Sequence, residues 1–206
     1  MKSATLYAIL DLGYVAEGKA VETTRQLLDG GADLLQLRAK GKDADVIRRV
    51  AEKLIPLCRS AGVPFILNDF PELAAELDAD GVHIGQDDGP LADACAIVGE
   101  GKIMGRSTHS LDQARAALAE GFDYIGFGPL FPTPTKAGRP AIGLHDIAAM
   151  EREVGSQIPA FCIGGIKQGN LAEVLAAGAR RVVIVSELLT ASDVKAATAR
   201  TKARLM

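Results

Sequence analysis

Cysteine is scarce and unpatterned in this 206-residue sequence: Cys58, Cys95 and Cys162 stand apart, with no Cys-x-x-Cys pair. That excludes a disulfide framework and points to reduced thiols in the cytoplasm. Histidine is equally sparse, and His83, His109 and His145 are too scattered to support a structural zinc site. Aromatic residues make up only 4% of the chain. No apolar run approaches the ~20 residues of a membrane-spanning helix, and the start of the chain lacks the basic stretch and small-residue cleavage site of a signal peptide. Basic residues are not in excess: 23 Lys and Arg stand against 26 Asp and Glu, a net charge of -3. That balance argues against nucleic acid as a main partner, which would favour a basic face. Any anionic ligand must be held by local cations. Three motifs are also missing. There is no Walker A pattern, no Gly-x-Ser-x-Gly, and Gly126-Phe127-Gly128 runs into proline where a dinucleotide fingerprint needs a helix.

What is present is an ordinary globular composition, 48% hydrophobic and 24% charged, with 22 glycines that suit many tight turns. The length predicts one domain, residues 1–206, large enough for a full core. Short apolar runs alternate with segments of helical spacing. Strands are expected at 5–10, 33–37, 65–67, 81–85, 102–105, 124–127, 160–163 and 182–185. Helices are expected at 22–28, 43–60, 71–77, 91–98, 111–119, 144–154 and 170–177, with a last one from 187 that breaks near Ser192. Strands that are apolar throughout imply a parallel sheet covered on both faces. Eight such units predict an α/β fold, a closed (β/α)₈ TIM barrel near the small end of its size range. An open doubly wound sheet would need polar edge strands, and none is evident.

In such a barrel, ligands bind at the C-terminal ends of the strands. The residues just past those ends are Gln36, Arg38 and Lys40; Asn68 and Asp69; Gln86, Asp87 and Asp88; Ser107 and His109; Thr133, Thr135, Lys136 and Arg139; Gly164-Gly165; and Ser186. Cations, carboxylates and small polar groups together suit a Mg²⁺-bound polyphosphate. Asp69 and Asp88 are the metal candidates, although aspartates in βα loops are also common helix N-caps. Gly164-Gly165 and Ser186 make a second constellation, at the place after strands seven and eight where barrels often hold a phosphate. Glu187 complicates it by adding a negative charge. Residues 129–143 form a long loop, and long ordered loops in compact domains are usually functional. His83 reads as a hydrogen-bonded core histidine and Cys162 as core.

These motifs together resemble the thiamine-phosphate synthase family along the whole chain. The match lies in Gln36-Leu37-Arg38-Ala39-Lys40, Asn68-Asp69, residues 79–88 (ADGVHIGQDD), 105–109 (GRSTH), 123–129 (DYIGFGP), 133–136 (TPTK), 163–166 (IGGI) and 184–186 (IVS). The resemblance implies a barrel that joins hydroxymethylpyrimidine pyrophosphate to hydroxyethylthiazole phosphate, with release of pyrophosphate. It implies that Gln36, Leu37, Arg38, Ala39, Lys40, Asn68, Ser107 and Lys136 hold the pyrimidine pyrophosphate. Asp69 and Asp88 are implied to bind Mg²⁺. Thr133, Pro134, Thr135, Gly165, Val185 and Ser186 are implied to hold the thiazole phosphate. The implied chemistry is dissociative, with Arg38, Lys40 and Lys136 stabilising the departing diphosphate. Cys162, the pair Arg180-Arg181 and Glu187 depart from the family pattern and bear on the phosphate site. The expected partners are small molecules, without nucleic acid or membrane, and homo-oligomerisation is left open.

Two other readings compete. A thiazole tautomerase of the same fold would need less of the diphosphate set, and would carry a histidine where this chain has Pro129. A non-catalytic phosphate-binding barrel would not need Arg38, Asp69, Asp88 and Lys136 together.

Overall fold

A computed structural model describes residues 1–133 and 140–206 of the chain. Its eight strands are β1 (Leu6–Asp11), β2 (Leu34–Arg38), β3 (Phe65–Asn68), β4 (Gly81–Ile84), β5 (Ile103–Thr108), β6 (Tyr124–Phe127), β7 (Ala160–Cys162) and β8 (Val182–Ile184). All pair in parallel and in sequence order, and β8 closes on β1. The expected (β/α)₈ barrel is the observed fold. Between the strands lie α1 (Ala20–Asp29), α2 (Ala44–Ala61), α3 (Pro71–Glu76), α4 (Leu91–Val98), α5 (Leu111–Glu120), α6 (Ile147–Met150), α7 (Leu171–Ala176), α8 (Ser186–Leu189) and α9 (Val194–Ala203). Among the described residues, no helix is long and apolar enough to cross a membrane.

Local chemistry explains the elements. In α2, Ile47, Val50, Ala51, Leu54, Ile55 and Cys58 recur at helical spacing and are all buried. Each large apolar side chain so buried contributes about 2 kcal/mol. Gly62 ends the helix in the left-handed conformation, φ 67°, and its N–H satisfies the Arg59 and Cys58 carbonyls. Ser110 caps α5 by accepting the Gln113 N–H at 3.2 Å. The last helical region breaks at residues 190–193, giving α8 and α9.

The core has two parts. A large cluster fills the space between strands and helices, and a smaller one fills the barrel itself. Alternation along each strand decides which part a side chain joins. On β2, Leu35 and Leu37 face the helices, while Leu34, Gln36 and Arg38 face inward. Inside, Tyr7, Tyr124 and Phe161 meet edge to face, with ring centroids 5.3 to 5.9 Å apart. Cys58 and Cys162 belong to the outer cluster. Burial pushes both thiols up, Cys58 to about 12, so they stay neutral.

β5 runs further than the pattern 102–105 suggests. Its strand conformation continues through Arg106, Ser107 and Thr108, because β6 registers against those residues: Arg106 with Ile125, Ser107 with Gly126, Thr108 with Phe127. A polar residue at a barrel strand's end looks like a loop residue in the sequence, yet the strand is needed to aim it.

Candidate active site

A pocket of about 840 Å³, its open mouth included, sits at the C-terminal ends of the strands. Gln36, Arg38, Asn68, Ser107, Thr133, Gly165, Val185 and Ser186 all line it, each expected there from the sequence. Leu37 and Ala39 pack in the outer cluster, so their side chains face the helices and only their backbone lies toward the mouth. Pro134, Thr135, Lys136 and Arg139 lie outside the described residues.

The cationic side is built by β1, β2 and β3. Arg38 Nη1 pairs with Asp11 Oδ2, and both side chains are nearly buried. The second Asp11 oxygen accepts the Gly13 N–H at 2.8 Å, which fixes the carboxylate. Asp11 stands one residue past the run 5–10 from which the first strand is expected. It is in fact the last residue of β1, registered against Arg38. The strand-end rule that selected Arg38 applies equally to Asp11. Lys40 Nζ lies 3.1 Å from Asp69 Oδ2, with 63% of the lysine side chain exposed.

Asn68 and Asp69 are neighbours that a regular strand would point in opposite directions. β3 ends at Asn68, and Asp69 turns to φ 64° while its N–H still bonds the His83 carbonyl at 3.0 Å. Left-handed backbone is tolerated by Asp better than by most residues. The turn lets Asn68 line the pocket while Asp69 reaches Lys40. Neither metal candidate caps a helix: the N-cap of α3 is Phe70 and that of α4 is Pro90.

Asp88 lies in the loop after β4, where its carboxylate accepts the Gly85 N–H at 2.6 Å. Arg106 braces this loop from β5, donating to the Gly89 carbonyl at 2.7 Å and the Gln86 carbonyl at 3.4 Å, with its guanidinium 5.2 Å from the Phe122 ring centre. Gln86 adds a bond from Nε2 to the Ser107 carbonyl at 2.6 Å. Asp69 and Asp88 thus sit on successive strand ends, beside the pocket and not among its lining. Among the described residues no three His, Cys, Asp or Glu gather as a metal cage. Mg²⁺ does not ask for one: it takes one or two carboxylates and leaves its other positions to water and phosphate. Two hard oxygen donors beside a pocket lined by Arg38 fit that requirement.

The opposite side is made of backbone. Gly164 and Gly165 adopt φ 97° and 67°. Leu130 and Phe131 donate their N–H groups to the Ile163 and Gly164 carbonyls at 2.8 and 3.0 Å. A Cβ at Gly165 would press on Phe131 and Pro132, so the glycine serves both the turn and the close approach of the loop. Glu187 turns away, its carboxylate accepting the Gln168 N–H at 2.9 Å. Arg180 and Arg181 precede β8 and so lie at the far end of the barrel, where Arg181 pairs with Glu151 at 3.9 Å. Of the departures from the family pattern, Cys162 faces the helices, the two arginines lie at the other end, and only Glu187 stands near the mouth, its carboxylate held by Gln168.

His83 and His109 also line the pocket. His83 is hydrogen-bonded within the barrel, as its strand position implied, and His109 Nδ1 lies 2.5 Å from the Gly128 carbonyl oxygen. Tyr7, on the pocket floor, gave no signal in the sequence because a tyrosine within an apolar run reads as core.

A family model described as Thiamine monophosphate synthase matches residues 6–188. The thiamine-phosphate synthase of Thermus thermophilus is 45% identical over 185 residues, 90% of this chain and 88% of that protein. That of Shouchella clausii is 41% identical over 200 residues, covering 96% and 94%. The solved thiamine phosphate pyrophosphorylase of Pyrococcus furiosus superposes with a TM-score of 0.87 at 33% identity, covering 98% of this chain and 95% of its own. The family model spans all eight strands of the barrel, and the chain belongs to the thiamine monophosphate synthase family.

Proposed function

We propose that the pocket condenses hydroxymethylpyrimidine pyrophosphate with hydroxyethylthiazole phosphate to give thiamine phosphate and pyrophosphate, with Mg²⁺ held at Asp69 and Asp88. The observation that carries this reading is the division of the mouth into two anion-binding sides. Arg38, paired with Asp11, and Lys40, paired with Asp69, stand on one side, and glycine backbone and Ser186 stand on the other.

Gln36, Arg38, Lys40, Asn68 and Ser107 bind and orient the pyrimidine pyrophosphate, with Lys136 from the loop after β6. Thr133, Pro134, Thr135, Gly165, Val185 and Ser186 bind the thiazole phosphate, where backbone N–H groups meet an anion without adding a counter-charge. When bound, Mg²⁺ supplies charge neutralisation to the leaving diphosphate. The guanidinium of Arg38 and the ammonium groups of Lys40 and Lys136 stabilise the same developing charge. The bond to diphosphate breaks first, and the thiazole nitrogen, held in line, captures the pyrimidine cation. Positioning and electrostatic stabilisation carry the rate, and no general base is needed.

The test is pyrophosphate release with both substrates and Mg²⁺. Release is expected only when both substrates are present and should stop when Mg²⁺ is chelated. Isomerisation of the thiazole alone would overturn the reading in favour of a tautomerase, and binding without turnover would reduce the protein to a ligand-binding barrel.

A further inference from the structure

Beneath the pocket, five polar side chains from five strands join in one buried line through an otherwise apolar barrel. Gln36 Nε2 donates to Tyr7 Oη at 2.5 Å, and Tyr7 Oη lies 2.9 Å from Tyr124 Oη. Tyr124 Oη lies 3.0 Å from His83 Nδ1, and His83 Nε2 lies 3.0 Å from Ser107 Oγ. Tyr124 is fully buried and does not line the pocket, whereas both ends of the line do. Room for it is made on β5: a Cβ on Gly105 would sit inside the Tyr124 ring. Burial holds both phenols far above their ordinary range, so each keeps its proton and has one to give.

One end of the line has a fixed direction. An amide nitrogen only donates. Either hydroxyl of the Tyr7–Tyr124 pair can donate, and the roles of His83 follow its tautomer; in the polarity that starts from Gln36, Tyr7 gives its proton to Tyr124 and Tyr124 gives its own to His83 Nδ1. With Nδ1 an acceptor, the imidazole carries its proton on Nε2 and donates to Ser107. In that polarity Ser107 accepts from His83 and its own proton is not spent on the imidazole. At the other end, the Gln36 nitrogen is engaged with Tyr7, which leaves its carbonyl oxygen as the acceptor of that pocket-lining side chain.

We propose that Gln36, Tyr7, Tyr124, His83 and Ser107 form a one-directional hydrogen-bond relay that fixes the Nε2–H tautomer of His83 and presents an acceptor at Gln36 and a donor at Ser107 to the pyrimidine substrate. Tyr124 and His83 are then positioning residues, acting through the two ends. This rests on the proposed function, in which Gln36 and Ser107 face the pyrimidine pyrophosphate. The polarity suits that ligand: the acceptor meets an exocyclic amino group and the donor meets an anionic oxygen. The reverse polarity would set the Gln36 NH₂ against an amino group and spend the Ser107 proton on His83. A buried polar line is favourable only when every member is satisfied, so a cut in the middle is felt at both ends.

The experiment is ¹⁵N NMR of the histidine rings in the whole protein at pH 8, with Tyr124→Phe as the cut. In the wild type His83 is expected with Nε2 protonated and Nδ1 bare. In Tyr124→Phe an Nδ1–H population should appear. The same change should lower kcat/KM for the pyrimidine pyrophosphate at least tenfold, with KM for the thiazole phosphate within twofold. A wild-type His83 protonated on Nδ1, or on both nitrogens, overturns the relay whatever the activity. So does an unchanged kcat/KM in a folded Tyr124→Phe protein. Should that variant not fold, the wild-type spectrum alone decides. A wild type that releases no pyrophosphate would refute the function, and the tautomer would still report on the relay.

Discussion

Arg38 owes its direction to Asp11. The pair is nearly buried, so removing the carboxylate takes away the counter-charge beside a poorly solvated guanidinium, a change that costs about 3 kcal/mol. Asp11→Ala is expected to lower kcat at least tenfold and to lower stability by that amount in urea, whereas Asp11→Glu should recover part of both. A wild-type kcat in Asp11→Ala would show that Arg38 needs no anchor. At the metal candidates, Asp69→Asn and Asp88→Asn should each raise the Mg²⁺ concentration for half-maximal activity at least tenfold with little change in melting temperature. Asn tolerates the left-handed backbone of Asp69 about as well as Asp, so the fold survives the test. An unaltered Mg²⁺ dependence in both variants would remove the metal from these residues. Lys136→Ala should slow turnover more than tenfold, the loss of about 1.4 kcal/mol of transition-state stabilisation. At this scale the sequence was legible wherever a residue's type and its place at a strand end agreed, as for Arg38 and Asn68. It was not legible for Asp11 and Tyr7, whose roles depend on the strand next door.

Among the elements, the β4–α4 loop depends on β5. Arg106 spans from the Gln86 carbonyl to the Gly89 carbonyl and stacks on Phe122, so it holds both ends of the turn that carries Asp88. Arg106→Ala should cost about 2 kcal/mol in thermal or urea unfolding, from lost charged hydrogen bonds and the ring contact. It should also raise the Mg²⁺ requirement while leaving KM for the thiazole phosphate unchanged; a change confined to the thiazole side would contradict this bracing role. β5 itself exists in its full length because β6 registers against Arg106, Ser107 and Thr108. Helix and strand identities followed from apolar spacing, and α4 and β6 begin and end where the pattern puts them. The end of β5 did not follow, since a strand that is polar at its tip is recognised only by its partner.

Across the whole molecule, aspartates at the bottom of the barrel tie strands in pairs. Asp33 accepts the Leu6 N–H at 2.9 Å, Asp80 the Phe65 N–H at 2.7 Å, and Asp123 the Met104 N–H at 2.8 Å. Before β8 the corresponding residue is Arg181, and there β7 and β8 share a single registered pair, Cys162 with Val182. Asp33 also binds Lys202 of α9 and the Thr5 N–H, joining the last helix to the first strands. Burial opposes ionisation of Asp33, but the Leu6 N–H, the Lys202 ammonium and the Thr5 N–H outweigh it and hold the carboxyl below its ordinary value of 3.8. A carboxyl depressed in the fold stabilises it above pH 3.8, and that stability is lost as pH falls through the folded value. Asp33→Asn should therefore be less stable than the wild type at pH 7, and the gap should close on acidification in urea titrations. A gap that is constant with pH would mean that the charge on Asp33 does not fasten the barrel.

The sequence by itself determined the eight alternating units, the apolar strands and the set of residues at their ends, because periodicity and side-chain type are local properties. Only the tertiary structure decided which of those residues meet. Closure of β8 on β1 and the register between neighbours set Asp11 beside Arg38, turned Glu187 from the mouth and linked Gln36 to Ser107 through residues far apart in the chain. Such contacts depend on the rotation and stagger of strands around a closed barrel, and no stretch of sequence carries that information alone.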